Sequence, residues 1–333
     1  MNLPYISGPN EITNEEYHNS EKYKDFISSS ILKNIMVSPL WMRYCQKHPE
    51  DDEPTKAWKL EGNCYHSMLS SIANTGGMDE FEKNCVIFEP PINTSTGEPY
   101  GYNTHKFKDA YEQIINNNPD KEVYSQTEYE NSEAMIKYMQ SGNKHLSPIV
   151  NNLLKIGKAE ISIFIEHKTN DLVQYDSGLF KIRKDLTTRN KIIDWKTVGR
   201  STGKEAPLKA DQFARVIGDR LYGFSAAMYQ YFEWMVTGRW KSFYWVVQDK
   251  LPPYDFNIIS AEGWAFTIEQ GQMTGIGVHA EMFLKALDQY LYCNEKDEYP
   301  GVSVFTCPDY KGQRITESKV PGYEFNKDNE FYN

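Results

Sequence analysis

Between residues 159 and 165 the chain reads Ala-Glu-Ile-Ser-Ile-Phe-Ile, an alternation at period two that fits an extended strand with one buried face. Two further strands are expected, Val173 to Ile182 and Lys191 to Trp195, with turn residues at Asp171 and at Thr187-Thr188-Arg189-Asn190. Three strands joined by such turns make an antiparallel meander. Helical patterns surround it. Residues 21–47 carry Ser28-Ser29-Ser30 as N-caps and a restart at Ser38-Pro39, residues 57–72 form a helix, and residues 106–154 hold two or three more. After the meander come a long helix at about 208–237, a strand from Ser242 to Gln248, a turn at Pro252-Pro253, an extended run at 254–259 and a helix at about 265–293. This order predicts an α/β fold with a mixed central β-sheet flanked by helices. Residues 1–20 read as a polar, peripheral segment and 48–56 as an acidic loop. Residues 74–105 read as an excursion with one short strand near Val86-Ile87-Phe88.

The 333 residues are enough to bury a sizeable core, and 23 Tyr, 16 Phe and 7 Trp argue against disorder. No apolar run approaches the roughly 20 residues of a membrane helix, and no secretory signal is visible at the N-terminus. Five scattered cysteines read as reduced thiols. A cytoplasmic protein is expected. The net charge of −10 first speaks against a nucleic-acid partner. Residues 181–220, however, hold eleven Lys/Arg against five Asp/Glu, a local +6 that leaves −16 for the remainder. That distribution suits either a nucleic-acid path confined to one surface or a chance cluster on a solvated face.

The chemistry concentrates at Asp185 and at Asp194-Trp195-Lys196. Alternate strand residues share a face, so Asp194 and Lys196 project together, and a tight turn would bring Asp185 beside them. Two carboxylates with a carbonyl oxygen form a hard-oxygen set suited to Mg²⁺, with Mn²⁺ as substitute. The plainer alternative is a surface hairpin closed by an Asp–Lys ion pair.

The run Lys181-x-Arg183-x-Asp185, eight residues, then Asp194-x-Lys196-Thr197 resembles the core of PD-(D/E)xK nucleases of the RecB-like and lambda-exonuclease-like group. Other blocks follow in matching order: Ser28-Ser29-Ser30-x-Leu32-Lys33 with Ser38-Pro39, Gly62-x-x-x-His66, Ala159-Glu160, Tyr222-Gly223-Phe224 with Ala226-Ala227-Met228-Tyr229, Pro252-Pro253-Tyr254 and Tyr299-Pro300-Gly301. As an ordered set over residues 25–310 they are similar to the phage exodeoxyribonuclease VIII (RecE-like) family. The resemblance implies a restriction-endonuclease-like core within one domain at 21–310. That domain would have a helical part at 21–155, a catalytic core at 156–293 and a tail at 311–333.

The same resemblance implies Asp185, Asp194 and Lys196 as catalytic residues, and His66, Glu160, Asp185, Asp194 and the Trp195 carbonyl as metal ligands. Lys181, Arg183, Lys184, Arg189, Arg200 and Tyr229 would meet DNA. For His66 and Tyr229 a purely structural role is the alternative, and for Glu160 a strand-edge charge. Ser225 stands where related nucleases often carry Gln, so a Gln-mediated contact is not expected. The spacing of Cys293 and Cys307 does not suit an iron–sulfur cluster. The implied activity is Mg²⁺-dependent exonuclease action on double-stranded DNA ends, 5′ to 3′. The 3′ single strand would be left for a recombination annealing protein, and homo-oligomers occur among relatives. The same core also serves endonucleases, single-strand nucleases and catalytically idle DNA-binding proteins.

Overall fold

The computed structural model describes residues 3–9, 11–48, 57–200 and 205–301. The strands are β1 (Tyr5–Ile6), β2 (Cys85–Phe88), β3 (Glu122–Ser125), β4 (Lys158–Glu166), β5 (Leu179–Thr187), β6 (Lys191–Val198), β7 (Ser242–Asp249), β8 (Phe256–Ser260), β9 (Phe266–Glu269) and β10 (Gln272–Ile276). The helices are α1 (Asn14–Asn19), α2 (Ser29–Lys33), α3 (Pro39–Lys47), α4 (Ala57–Thr75), α5 (Asp79–Asn84), α6 (His105–Asn117), α7 (Gln126–Ser141), α8 (Ser147–Ile156), α9 (Ala210–Arg220), α10 (Tyr222–Thr237) and α11 (Val278–Lys296). Among the described residues, six strands form the central sheet in the order β1-β4-β5-β6-β7-β8. The meander β4–β5–β6 is antiparallel and β7 runs parallel to β6, so the sheet is mixed.

Neighbouring residues of β6 and β7 feed two different cores, as the pleat requires. Ile192, Trp245 and Val247 join the cluster packed with α9, α10 and α11. Ile193, Trp195 and Val246 join the cluster packed with α4, α7 and α8. The sheet is therefore covered on both faces, and truncating a fully buried residue such as Trp245 would cost about 3–5 kcal/mol.

Several sequence expectations are corrected. The described residues of the 1–20 segment are not peripheral: β1 pairs with β4 through Tyr5↔Phe164. Tyr5, Tyr17, Tyr23 and Phe26 all lie against the fully buried Phe164 ring. The 74–105 excursion contains α5 and β2, and β2 pairs in parallel with β3, a strand the helical pattern of 106–154 hid. The strand expected from Val173 begins at Leu179, because Asn170 and Val173 close a local turn first. The long helix at 208–237 is two helices. Leu221 adopts φ +50° and its N–H bonds the carbonyls of Gly218 and Ile217, which ends α9 before α10 begins. The helix expected from 265 starts at Val278, after the β9–β10 hairpin. Residues 49–56 of the acidic loop, Cys307 and the 311–333 tail lie outside the described residues.

Gly223 is required where it stands: an added Cβ would lie 2.6 Å from His279 Nδ1, so α10 meets the start of α11 only without a side chain there.

One buried histidine gives the fold a pH dependence. His167 is fully buried, its Nε2 lies 2.7 Å from Tyr231 Oη, and burial pushes its pKa from 6.5 down to about 4. Because the folded value is the lower one, the unfolded chain binds an extra proton between the two. The stability this group supports above pH 6.5 is lost as pH falls towards 4. Thermal melts from pH 7 to 4 are expected to show a falling Tm, with a shallower fall in His167→Gln. Equal slopes in the two proteins would exclude His167 as the source.

Candidate active site

The β5–β6 hairpin builds the site. Its ladder is formed by Leu186↔Ile193 and Thr187↔Ile192, and continuing that register sets Asp185 opposite Asp194. There the two strands part. β5 stays with β4 and β6 stays with β7, and at the fork the Trp195 N–H donates to Asp185 Oδ2 at 2.8 Å. A side chain thus replaces the ladder bond that the splayed backbone no longer makes. Two residues along β6, Lys196 Nζ lies 2.5 Å from Asp194 Oδ2 and 3.5 Å from the Trp195 carbonyl oxygen. The shared face expected for Asp194 and Lys196 is therefore present.

Helix α4 brings His66 to the fork, its Nδ1 3.5 Å from Asp185 Oδ2. One turn earlier, Gly62 lies against Thr197 of β6, where an added Cβ would make an ordinary 3.8 Å contact, so room alone does not demand glycine. From β4, Glu160 adopts φ +56° in the gap between the paired residues Ala159 and Ile161, and its carboxylate forms an ion pair with Arg183. A non-glycine residue in the left-handed region stores strain, which often marks a functional position.

The electrostatics tie these groups together. Burial, and then Asp194, raise the Asp185 carboxyl well above its usual range; Glu160 adds to the rise, while Lys196 opposes it. Burial also raises Glu160, against Arg183. For Lys196, burial acts to lower the pKa, but Asp194 and Asp185 outweigh it and hold the ammonium above the ordinary lysine range. Burial and then Lys196 push His66 down to about 4, so its ring is neutral at physiological pH. With Asp185 itself pushed towards its neutral form, Asp194 is the carboxylate that favours protonating the ring.

Three further residues border the fork. Burial, Tyr17, Asp194, Asp185 and Glu160 hold the Tyr229 phenol well above its usual value, which leaves it a neutral donor. Lys196 Nζ lies 5.2 Å from the centre of the Tyr222 ring, a cation–π contact. Burial and Lys196 lower Lys33 of α2 to about 8. Lys33 and Tyr222 both sit in recognisable sequence blocks, yet nothing in their spacing gave them a place at the site.

The DNA-contact expectations fare unevenly. Lys181 is buried with its Nζ donating to the Tyr17 carbonyl at 2.6 Å, and Lys184 is buried against Glu233. Neither can meet a duplex backbone, so both assignments, which rested on the family resemblance, are corrected: the N-terminal segment covers Lys181 and α10 covers Lys184. Arg183 is engaged by Glu160 and the Thr13 carbonyl, and Arg200 by Asp249 and the Pro252 carbonyl. Arg189 is exposed in the β5–β6 turn. Ser225, where a Gln was not found, donates to Ser29 Oγ at 3.2 Å.

Among the described residues, no three His, Cys, Asp or Glu side chains converge closely enough to enclose a metal ion. Lys196 covers one oxygen of Asp194, and Arg183 engages Glu160. The donor chemistry nonetheless fits a hard divalent cation: two opposed carboxylates, a carbonyl oxygen and a neutral imidazole, with Asp185 held in a field short of positive charge. That field gives a stability prediction. A buried carboxyl whose folded pKa is raised favours folding only below its unfolded value near 3.8, and the contribution is lost as pH rises through the folded value. Asp185→Asn keeps an oxygen for the Trp195 N–H and removes the charge. In EDTA at pH 7.5 its Tm is expected to exceed the wild type by a few degrees; a lower Tm would refute the like-charge reading.

Among the described residues no helix is long and apolar enough to cross a membrane. No protein-family model matches the chain, and no curated protein matches it. Among solved structures, the chain resembles one from Eubacterium rectale described as that of a candidate exonuclease. The likeness covers 96% of this chain and 99% of that one, at 14% identity and a TM-score of 0.48, a level that carries no argument about function.

Proposed function

We propose that the chain is a metal-dependent deoxyribonuclease of the PD-(D/E)xK type, acting as an exonuclease on duplex ends. The observation that carries this reading is the fork: Asp185 opposite Asp194, Lys196 2.5 Å from Asp194, and His66 3.5 Å from Asp185. Asp185, Asp194, the Trp195 carbonyl and His66 would hold Mg²⁺ or Mn²⁺, with Glu160 reaching it once Arg183 yields. A bound divalent ion supplies Lewis-acid polarisation of a phosphoryl oxygen and a more acidic water.

The chain's own residues account for the rest. Lys196, held charged, sits where it can orient the attacking water or meet charge growing on the phosphate. Neutral His66 can accept a proton or ligate through one ring nitrogen. Tyr229, kept protonated, donates a hydrogen bond to a phosphate oxygen, and exposed Arg189 gives a sequence-blind phosphate contact. Digestion from 5′ to 3′, leaving a 3′ strand for an annealing protein in the bacterial cytoplasm, completes the proposal by the family resemblance, as does a homo-oligomer.

The test uses linear duplex labelled at its 5′ or 3′ end beside covalently closed circular duplex, in Mg²⁺ and in EDTA. Metal-dependent loss of linear DNA with the circle spared is expected, and the order of label release gives polarity. Cutting of the circle would make the protein an endonuclease. Binding without cleavage under Mg²⁺ and Mn²⁺ would sink the catalytic reading.

A further inference from the structure

Lys184, excluded from any duplex backbone, borders a cavity of about 220 Å³ whose lining is part apolar, with Ile6 and Ile161, and part charged, with Lys158, Lys184, Glu233 and Lys241. Three of these side chains form a buried triad. Lys184 and Lys241 each contact one oxygen of Glu233, Lys241 at 2.7 Å, and the three side chains are 2%, 10% and 3% exposed. Lys241 Nζ also donates to Thr187 Oγ1 at 2.9 Å.

The triad is out of balance twice. Two ammonium groups share one carboxylate, so a charge of +1 is left over inside the protein, and Lys158 at the rim adds another. Each ammonium has three N–H donors. Lys184 uses one on Glu233, and Lys241 uses two, on Glu233 and Thr187. Three donors are left over on two lysines that line the cavity. Buried excess charge and buried unused donors are both costly, and a single oxyanion answers both. The volume is several times the roughly 30 Å³ that a water occupies in the liquid, which admits a tetrahedral oxyanion.

We propose that this cavity is a binding site for a phosphate-class oxyanion held by Lys184, Lys241 and Lys158. Free phosphate and the phosphoryl group of a nucleotide share that chemistry. The site stands apart from the carboxylate pair and does not depend on the nuclease reading. Along the chain it is one residue from Asp185 on β5 and, through Glu233, one helical turn from Tyr229 on α10.

Thermal melts of the full chain in EDTA, at constant ionic strength, test this without DNA or cleavage. The probes are inorganic phosphate, deoxyadenosine monophosphate and deoxyadenosine, with chloride as reference. A saturable rise in Tm with phosphate is expected. Lys241→Gln should weaken the apparent Kd about tenfold. Lys158→Gln, exposed at the rim and outside the triad, should weaken it about threefold while folding normally. An equal response to the monophosphate would mean that a phosphoryl group suffices; a response to inorganic phosphate alone would mean that the pocket closes on the free ion. No rise beyond chloride, a full response in Lys158→Gln and Lys241→Gln together, or an equal rise with deoxyadenosine would overturn the proposal.

Discussion

Asp194→Ala is expected to lower DNA cleavage by about 10³-fold or more while leaving the protein folded, and Lys196→Ala by about 10²–10³-fold. Asp194 faces Asp185 across the fork and contacts Lys196. Removing it would delete half of the opposed carboxylate pair and release the ammonium from its partner. Lys196→Arg is an informative third variant. A guanidinium keeps the charge but is a planar fork, not a compact point donor. Retention of most activity in Arg with loss in Ala would assign Lys196 an electrostatic role; loss in both would require its compact geometry. Single-turnover rates on linear duplex in saturating Mg²⁺ measure the effect, with circular dichroism melts confirming folding. Wild-type rates in Asp194→Ala would remove the fork from the chemistry altogether.

Glu233→Ala should destabilise the protein by about 3–5 kcal/mol, because it leaves Lys184 and Lys241 buried without their shared counter-charge. Burial lowers the Lys184 pKa even with Glu233 opposing it. For Glu233 the balance is reversed: burial works to raise the carboxyl, but the two lysines prevail and lower it. At roughly 2 °C per kcal/mol for a chain larger than the usual single domain, Tm would fall by about 6–10 °C. The triple variant Lys184→Met, Glu233→Leu, Lys241→Met removes all three charges together and should recover most of the loss, since buried ion pairs rarely outperform apolar packing of similar volume. A triple variant as unstable as Glu233→Ala would mean that the loss comes from packing, not from unpaired charge.

The sequence was most informative where a single periodicity governs. The alternation of residues 159–165 and the Ile192-Ile193 run before Asp194 marked β4 and β6, and the turn residues at 187–190 placed Asp185 beside Asp194. The Ser28 and Ser38 caps marked α2 and α3, with Ser38 Oγ accepting from the Trp41 N–H at 3.1 Å. It was least informative where long-range packing decides. Lys181 and Lys184 look exposed by composition, but one is covered by a segment some 160 residues earlier and the other by a helix some 50 residues later. The break at Leu221 escaped although Gly218 and Gly223 flank it, because the residue that turns left-handed is itself a leucine, held there by capping hydrogen bonds. The β9–β10 hairpin escaped because its short strands, Phe266–Glu269 and Gln272–Ile276, were absorbed into the helical pattern expected from 265. Lys33 and Tyr222 reach the site through tertiary packing of α2 and α10, which no local spacing encodes.

The parting of β5 from β6 has a mechanical consequence. The two carboxylates stand on backbones held from outside, one by β4 and the other by β7, so strand divergence sets the spacing of the backbones that carry them. Such a gauge resists thermal blur. It also lets the hairpin tip at Arg189 and the surrounding helices drift in sequence, and so reshape what enters, without altering the span between Asp185 and Asp194.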